Sequence, residues 1–124
     1  MALRRLDHYT VLTEDVAASV GFYEAVLGLK NGERPPFAFP GAWLYIDDHP
    51  VLHLIGRDDV AGEGTGHFDH VAFRCGDYPA IKARLEENNV DYEERTVPRL
   101  DMKQIFLSGP EGVKVELNFM PEDL

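Results

Sequence analysis

The sequence has one cysteine, Cys75, and therefore no intramolecular disulfide framework. A lone thiol in a chain of ordinary composition fits a reducing compartment. No run of residues approaches the roughly 20 continuous apolar positions that a membrane span requires. Basic residues are also scarce. Twelve Lys and Arg stand against 22 Asp and Glu, for a formal charge of −10. Phosphate contacts dominate nucleic-acid affinity, and such a charge repels them at long range. These shortages argue against a secreted scaffold, a membrane protein and a nucleic-acid binder. The segment from Met1 to Leu6 is not followed by the apolar run and cleavage site of a secretory signal. The expectation is a cytoplasmic protein, without membrane or nucleic-acid partners.

What the chain does have is an internal repeat. The stretch Leu6 to Val11 reads closely against Phe68 to Phe73, with His8 and His70 falling 62 residues apart. After each histidine comes a helical stretch, then extended segments, then a β-rich strand, Val51 to Ile55 or Val113 to Phe119. The reading is a single domain over 1–124, a diverged duplication of one βαβββ unit. Module one covers 1–58 and module two 66–124, joined by a linker over 59–65 that is rich in Gly and acidic residues.

The helices show in spacing and caps. Val16, Val20, Tyr23 and Leu27 mark one face of the first, with Thr13 as its N-cap, Glu14 and Asp15 in the first turn, and Gly28 closing it. In the second, Asp77 caps, Pro79 sits near the start, and Ile81 and Leu85 form the apolar stripe before Asn88 and Asn89. Two hairpins are expected. Ala42 to Ile46 and Val51 to Ile55 flank the turn from Asp47 to Pro50, and Lys103 to Ser108 and Val113 to Phe119 flank the turn from Gly109 to Gly112. Glu33 to Phe39 and Tyr92 to Val97 supply the remaining strands. The resulting fold class is α+β, two βαβββ modules forming a curved mixed sheet around a cavity that would take a small molecule.

Alternation along Val113 to Phe119 turns Glu116 away from the apolar face of its strand. His53 lies between Leu52 and Leu54, where a buried imidazole needs a partner for its nitrogens. Taken singly, a strand histidine is more often a hydrogen-bonded residue than a ligand, and a strand glutamate is usually solvated. His49 in a turn and His67 in the linker are read that way. The repeat changes the weighing, because His8 matches His70 and His53 nearly matches Glu116, 63 residues on. Neutral imidazoles and a carboxylate suit Zn, Ni, Mn, Fe or Co. One divalent metal ion is therefore expected on His8, His53, His70 and Glu116.

These residues carry a resemblance. The stretch Leu6 to His8, the helix end Gly21 to Leu29, the stretch Phe68 to Phe73, and Gln104 to Gly112 leading to Glu116 resemble the vicinal oxygen chelate superfamily. That superfamily includes glyoxalase I, bleomycin-resistance proteins, fosfomycin-resistance enzymes and extradiol dioxygenases. The resemblance implies a metal-dependent enzyme acting on a small-molecule substrate with vicinal oxygens, by lyase, isomerase or dioxygenase chemistry. Glu116 or His53 would be the catalytic proton carrier. Whether His53 is a ligand or an adjacent base stays open. The resemblance also implies a homodimer. The competing reading is a binding protein of the bleomycin-resistance kind, without catalysis.

Phe106 stands where extradiol dioxygenases and fosfomycin-resistance enzymes often have a tyrosine, and Gly109 opens a turn that much of the family begins with Asp. Arg57, Arg74, Lys103 and Gln104 are candidate anchors for an anionic group, although ordinary surface roles fit each of them better. Trp43, Tyr45 and Phe106 are read as core first and cavity wall second.

Overall fold

The computed structural model describes residues 5–59, 62–66 and 68–124. His67 lies outside them. Two compact units divide the chain, Met1–Ala61 and Gly62–Leu124. Each is a four-stranded mixed sheet with one main helix, so the fold is α+β.

In the first unit, β1 (Tyr9–Thr13) leads into α1 (Val16–Phe22), which runs on as a π-helical turn over Tyr23–Leu27. Then come β2 (Lys30–Gly32), β3 (Gly41–Ile46) and β4 (His49–Gly56). The strand order is β1-β4-β3-β2, with β1 parallel to β4 and the other pairs antiparallel. Leu44, Leu52 and Leu54 are fully buried, each contributing about 2 kcal/mol by removal from water. The helix meets β3 and β4. Its buried face is centred on Ser19, Tyr23 and Val26, with Val16, Val20 and Leu27 half-buried at the sides.

Two expectations are corrected in this unit. Asp15, not Thr13, is the N-cap of α1, and its carboxylate accepts from the backbone N–H of Ala18 at 3.0 Å. Thr13 instead ends β1 and is buried, its hydroxyl 2.8 Å from that of Ser19. A hydroxyl facing the core must find a partner there, and Ser19 on the helix supplies it. The strand expected over Glu33–Phe39 does not form; β2 stops at Gly32. Two consecutive prolines at 35 and 36 remove backbone donors, which favours an irregular segment over a ladder. Gly28 closes the helix as expected, at φ 73° in the left-handed region.

The second unit repeats the pattern: β5 (Val71–Arg74), α2 (Tyr78–Glu87), β6 (Tyr92–Val97), β7 (Met102–Ser108) and β8 (Lys114–Phe119). The order is β5-β8-β7-β6, again with one parallel pair, β5 and β8. Asp77 caps α2 through the N–H of Ala80. Leu85 is fully buried, and Ile105, Leu107, Val115, Leu117 and Phe119 give the sheet its apolar face. The turn from Gly109 to Gly112 includes Glu111 at φ 65° and Gly112 at φ 74°. A side chain on Gly112 would stand 2.8 Å from the backbone nitrogen of Gly64, so this turn position needs glycine for close approach as well.

Candidate metal centre

The parallel strand pair of each unit places one candidate pair of ligands. On β1 and β4, Thr10 is in register with His53, and His8 lies two residues ahead of Thr10. On β5 and β8, Ala72 is in register with Glu116, and His70 lies two residues ahead of Ala72. Side chains alternate along a strand, so residues two apart share a face. His8 and His53 thus occupy in the first unit the positions that His70 and Glu116 occupy in the second. In each unit the apolar residues of the last strand, Leu52 and Leu54 or Val115 and Leu117, point to the opposite face.

The His8 and His53 rings stack with centroids 3.7 Å apart and planes 10° from parallel. The other face of His53 lies against Trp43, at 4.1 Å and 13°. The Nε2 atom of His53 is buried without a hydrogen-bond partner among the described residues. An imidazole nitrogen left bare in this way is either an energetic cost or a donor awaiting a Lewis acid. Burial pulls the pKa of His53 below the ordinary histidine value, and the adjacent His8 pulls it further. The neutral form, the one that ligates, is favoured.

In the second unit, Nε2 of His70 stands 3.3 Å from Oε1 of Glu116. Glu116 is nearly buried, and its other oxygen accepts from Nδ2 of Asn118 at 2.8 Å. Asn118 in turn accepts from Nε2 of Gln104 at 3.2 Å. This chain of amides fixes the plane of the carboxylate and leaves one oxygen facing the histidine. Gln104, a candidate anchor from sequence, is therefore engaged in holding Asn118.

Each histidine is oriented by the residue before it. Nδ1 of His8 donates to Asp7 and Nδ1 of His70 donates to Asp69, both at 2.7 Å. A carboxylate only accepts, so Nδ1 carries a proton, and Nε2 is the ring nitrogen left to offer a lone pair to an ion. A metal-ligating histidine generally has a partner of this kind on its second nitrogen. The bonds to His8 and His70 hold the carboxyls of Asp7 and Asp69 below the usual carboxylate range. His49, read from sequence as an ordinary turn residue, begins β4, and its Nε2 donates to the backbone carbonyl of Asp7 at 2.8 Å. Lys114 approaches Asp69 at 3.4 Å.

Sequence reasoning missed these supports, although the Asp-His dipeptide at both ends of the repeat was a signal for two of them. The other candidate anchors are engaged elsewhere. Arg57 forks onto Asp59, Arg74 contacts Glu122 and Asp123, and Lys103 lies over the ring of Tyr78. Phe106 faces Glu116 across β7 and β8, with the guanidinium of Arg95 above its ring at 5.1 Å. Among the described residues, no group of three His, Cys, Asp or Glu side chains is arranged so that it could hold a metal ion by itself. The ligand-type residues stand as two pairs, one in each unit.

The donor chemistry of both pairs fits a divalent ion of the zinc or first-row transition series. Comparison with known proteins agrees with the fold. Residues 5–117 match the model of the Glyoxalase/Bleomycin resistance protein/Dioxygenase superfamily. The chain is 30% identical over 124 residues to Glyoxylase I 4 of Arabidopsis thaliana, covering 93% of this chain and 70% of that protein. It is 26% identical over 123 residues to the metallothiol transferase FosB of Staphylococcus saprophyticus, covering 94% and 77%. Among solved structures, a glyoxalase/dioxygenase from Nostoc punctiforme superposes with a TM-score of 0.77 at 21% identity, over 96% of this chain and 92% of that one. By the family match across nearly its whole length, the chain belongs to the glyoxalase/bleomycin resistance protein/dioxygenase superfamily.

Proposed function

We propose that this protein is a metal-dependent enzyme acting on a small molecule with adjacent oxygens, with His8, His53, His70 and Glu116 as the residues that would hold the ion. The observation that carries the reading is the equivalent register of the two pairs. Each contains a histidine whose Nδ1 is held by the preceding aspartate, beside a second ligand-type side chain on the adjoining parallel strand. Solvated surface chemistry gives no reason for that correspondence. A homodimer, in which a pair from one chain meets a pair from another, is the assembly we propose with it. A cytoplasmic location fits the lone cysteine and remains part of the proposal.

A bound divalent ion would supply Lewis acidity to the two substrate oxygens, favouring charge that develops on them. The chain's own part is proton movement and its control. Glu116 has one oxygen committed to Asn118 and one facing His70, so its free lone pairs lie on a defined side. From there it takes a proton from the carbon next to a substrate oxygen and returns it to the neighbouring carbon. His53, neutral and with Nε2 unpaired, is the second candidate for that role. Burial of Glu116 keeps water from competing for the proton.

Phe106, opposite Glu116, offers no hydroxyl to orient an oxygen intermediate. Proton transfer of the lyase or isomerase kind is therefore favoured over ring cleavage. The test is an assay of metal-reconstituted protein with a hemithioacetal, run beside a catechol with Fe(II) and oxygen. The expected result is turnover of the hemithioacetal, lowered at least about 100-fold in Glu116→Gln, the scale of general acid–base catalysis. Ring-cleavage product from the catechol, or full activity in the Gln variant, would contradict the assignment.

A further inference from the structure

The segment between β2 and β3 carries a cationic group that none of the roles above uses. Arg34 lies with its guanidinium carbon 5.0 Å from the ring centre of Phe37 and 5.1 Å from that of Phe39. The two rings are stacked at 5.1 Å, 15° from parallel. One Nη2 donates to the carbonyl of Phe39 at 2.9 Å. Beneath it is Gly41, where a Cβ would stand 2.9 Å from Nη2 and 2.3 Å from the carbonyl oxygen of Leu54. The guanidinium is thus laid down over a strand position that has no side chain, held by one hydrogen bond and two rings.

Its charge has no acidic partner. Arg57, Arg74, Arg95, Lys82 and Lys114 each have a carboxylate within ion-pair reach, whereas among the described residues Arg34 has none. Other basic side chains, Lys30 and Arg84 among them, also have no ion pair among the described residues; what distinguishes Arg34 is that two rings and a backbone carbonyl hold its guanidinium in place. Cation–π contact stabilises the charge but leaves the in-plane N–H groups available to a forked acceptor.

Beside it is a cavity of about 430 Å³ lined by Glu33, Arg34, Pro35, Trp43 and Tyr45. Trp43 forms its flat wall, with one face closed by His53. Phe37 meets the indole at 6.3 Å and 49°, an open angle rather than a stack. Phe37 and Phe39 are each more than two-fifths exposed. An indole, a phenol ring and a guanidinium without a carboxylate partner line this hollow, while Phe37 and Phe39 hold the guanidinium from beside it; the set matches a flat apolar body with a negative group at its edge. The carboxylate of Glu33 in the same wall disfavours a doubly charged anion and leaves a singly charged one tolerable.

We infer that Arg34 and Trp43, with the guanidinium held in place by Phe37 and Phe39, form a binding subsite for an aromatic carboxylate. The stack from Trp43 to His53 to His8 links this subsite to candidate ligands in the same unit. The bound acid would be the remote, non-reacting end of the substrate; that placement rests on the metal-enzyme reading given above, whereas the binding itself does not.

The protein has one tryptophan, so its fluorescence reports on Trp43 directly. The experiment titrates the full chain with benzoate, benzamide and phenyl phosphate in the presence of a chelator. The expected result is saturable quenching by benzoate, with benzamide and phenyl phosphate each about tenfold weaker. In Arg34→Ala the advantage of benzoate over benzamide disappears, and in Arg34→Lys, which keeps the charge but loses the planar fork, it is reduced. Equal binding of benzoate and benzamide, absence of saturable quenching by benzoate, or an undiminished preference in Arg34→Ala would overturn the subsite. Because metal is withheld, failure of the metal-enzyme reading shows in metal analysis and leaves this titration unaffected.

Discussion

Cys75 and His53 show how the same physical effect, burial, pushes two titratable groups in opposite directions. Burial raises the thiol of Cys75 to about 11, since the thiolate is the charged form. It lowers His53, since the imidazolium is the charged form there. Cys75 is therefore an inert thiol at neutral pH despite being the chain's single cysteine. Native protein is expected to alkylate with iodoacetamide far more slowly at pH 8 than protein in denaturant, with the rate climbing only as pH nears 11. Mass spectrometry over a pH series checks this, and a rate that levels off by pH 9 would contradict it.

At the same scale, the identity of the ligand-type residues was legible in the sequence and their surroundings were not. His8, His70 and Glu116 stood out because a repeat doubles the information at each position. Asp7, Asp69 and Asn118 act one bond further out, and their roles depend on side-chain direction. Arg34 went unnoticed for a related reason. Its two phenylalanines come three and five residues later in an irregular segment, and only the folded loop brings all three together.

The elements divide between those that local chemistry dictates and those that the core decides. Asp77 and Gly28 sit where a cap and a left-handed stop are needed, and both were legible in the sequence. Thr13 was misread because its hydroxyl suits a cap in isolation. The core claims it instead, pairing it with Ser19 and leaving Asp15 to cap the helix. Replacing Thr13 by Val is expected to strand the Ser19 hydroxyl and cost about 1–2 kcal/mol. Asp15→Ala is expected to cost about 1 kcal/mol through the lost cap. Gly28→Ala at φ 73° is expected to cost about 1 kcal/mol. Urea unfolding midpoints measure all three. A neutral Thr13→Val beside a costly Thr13→Ser would reverse the assignment of roles.

The parallel strand pair matters most at this level. It sets Thr10 against His53 and Ala72 against Glu116, and so converts a sequence offset into equivalent positions. The offsets of 62 and 63 differ by one residue. The parallel pairing is the same in spite of that difference, since each histidine lies two residues ahead of the position in register with the last-strand residue. The second strand, β2, was placed too late in the sequence, over a segment that prolines 35 and 36 keep out of the ladder. A propensity reading sees the aromatic residues of that segment and underweights the missing backbone donors.

For the whole molecule, the duplication gave the fold class, and membership of the superfamily follows from the match over residues 5–117. No helix among the described residues is long and apolar enough to cross a membrane. Assembly is the proposal with the plainest readout. Light scattering on the eluting protein is expected to give twice the chain mass, and a monomer at micromolar concentration would count against the shared arrangement of ligand pairs. In the proposed function catalysis depends on a divalent ion, and the most direct test is therefore metal analysis of protein purified without chelator. One divalent ion per chain is expected, lost in His70→Ala and in Glu116→Ala while both variants keep their folded circular dichroism. Protein that binds no stoichiometric metal after reconstitution with zinc, nickel, manganese, iron and cobalt in turn would contradict the proposed function.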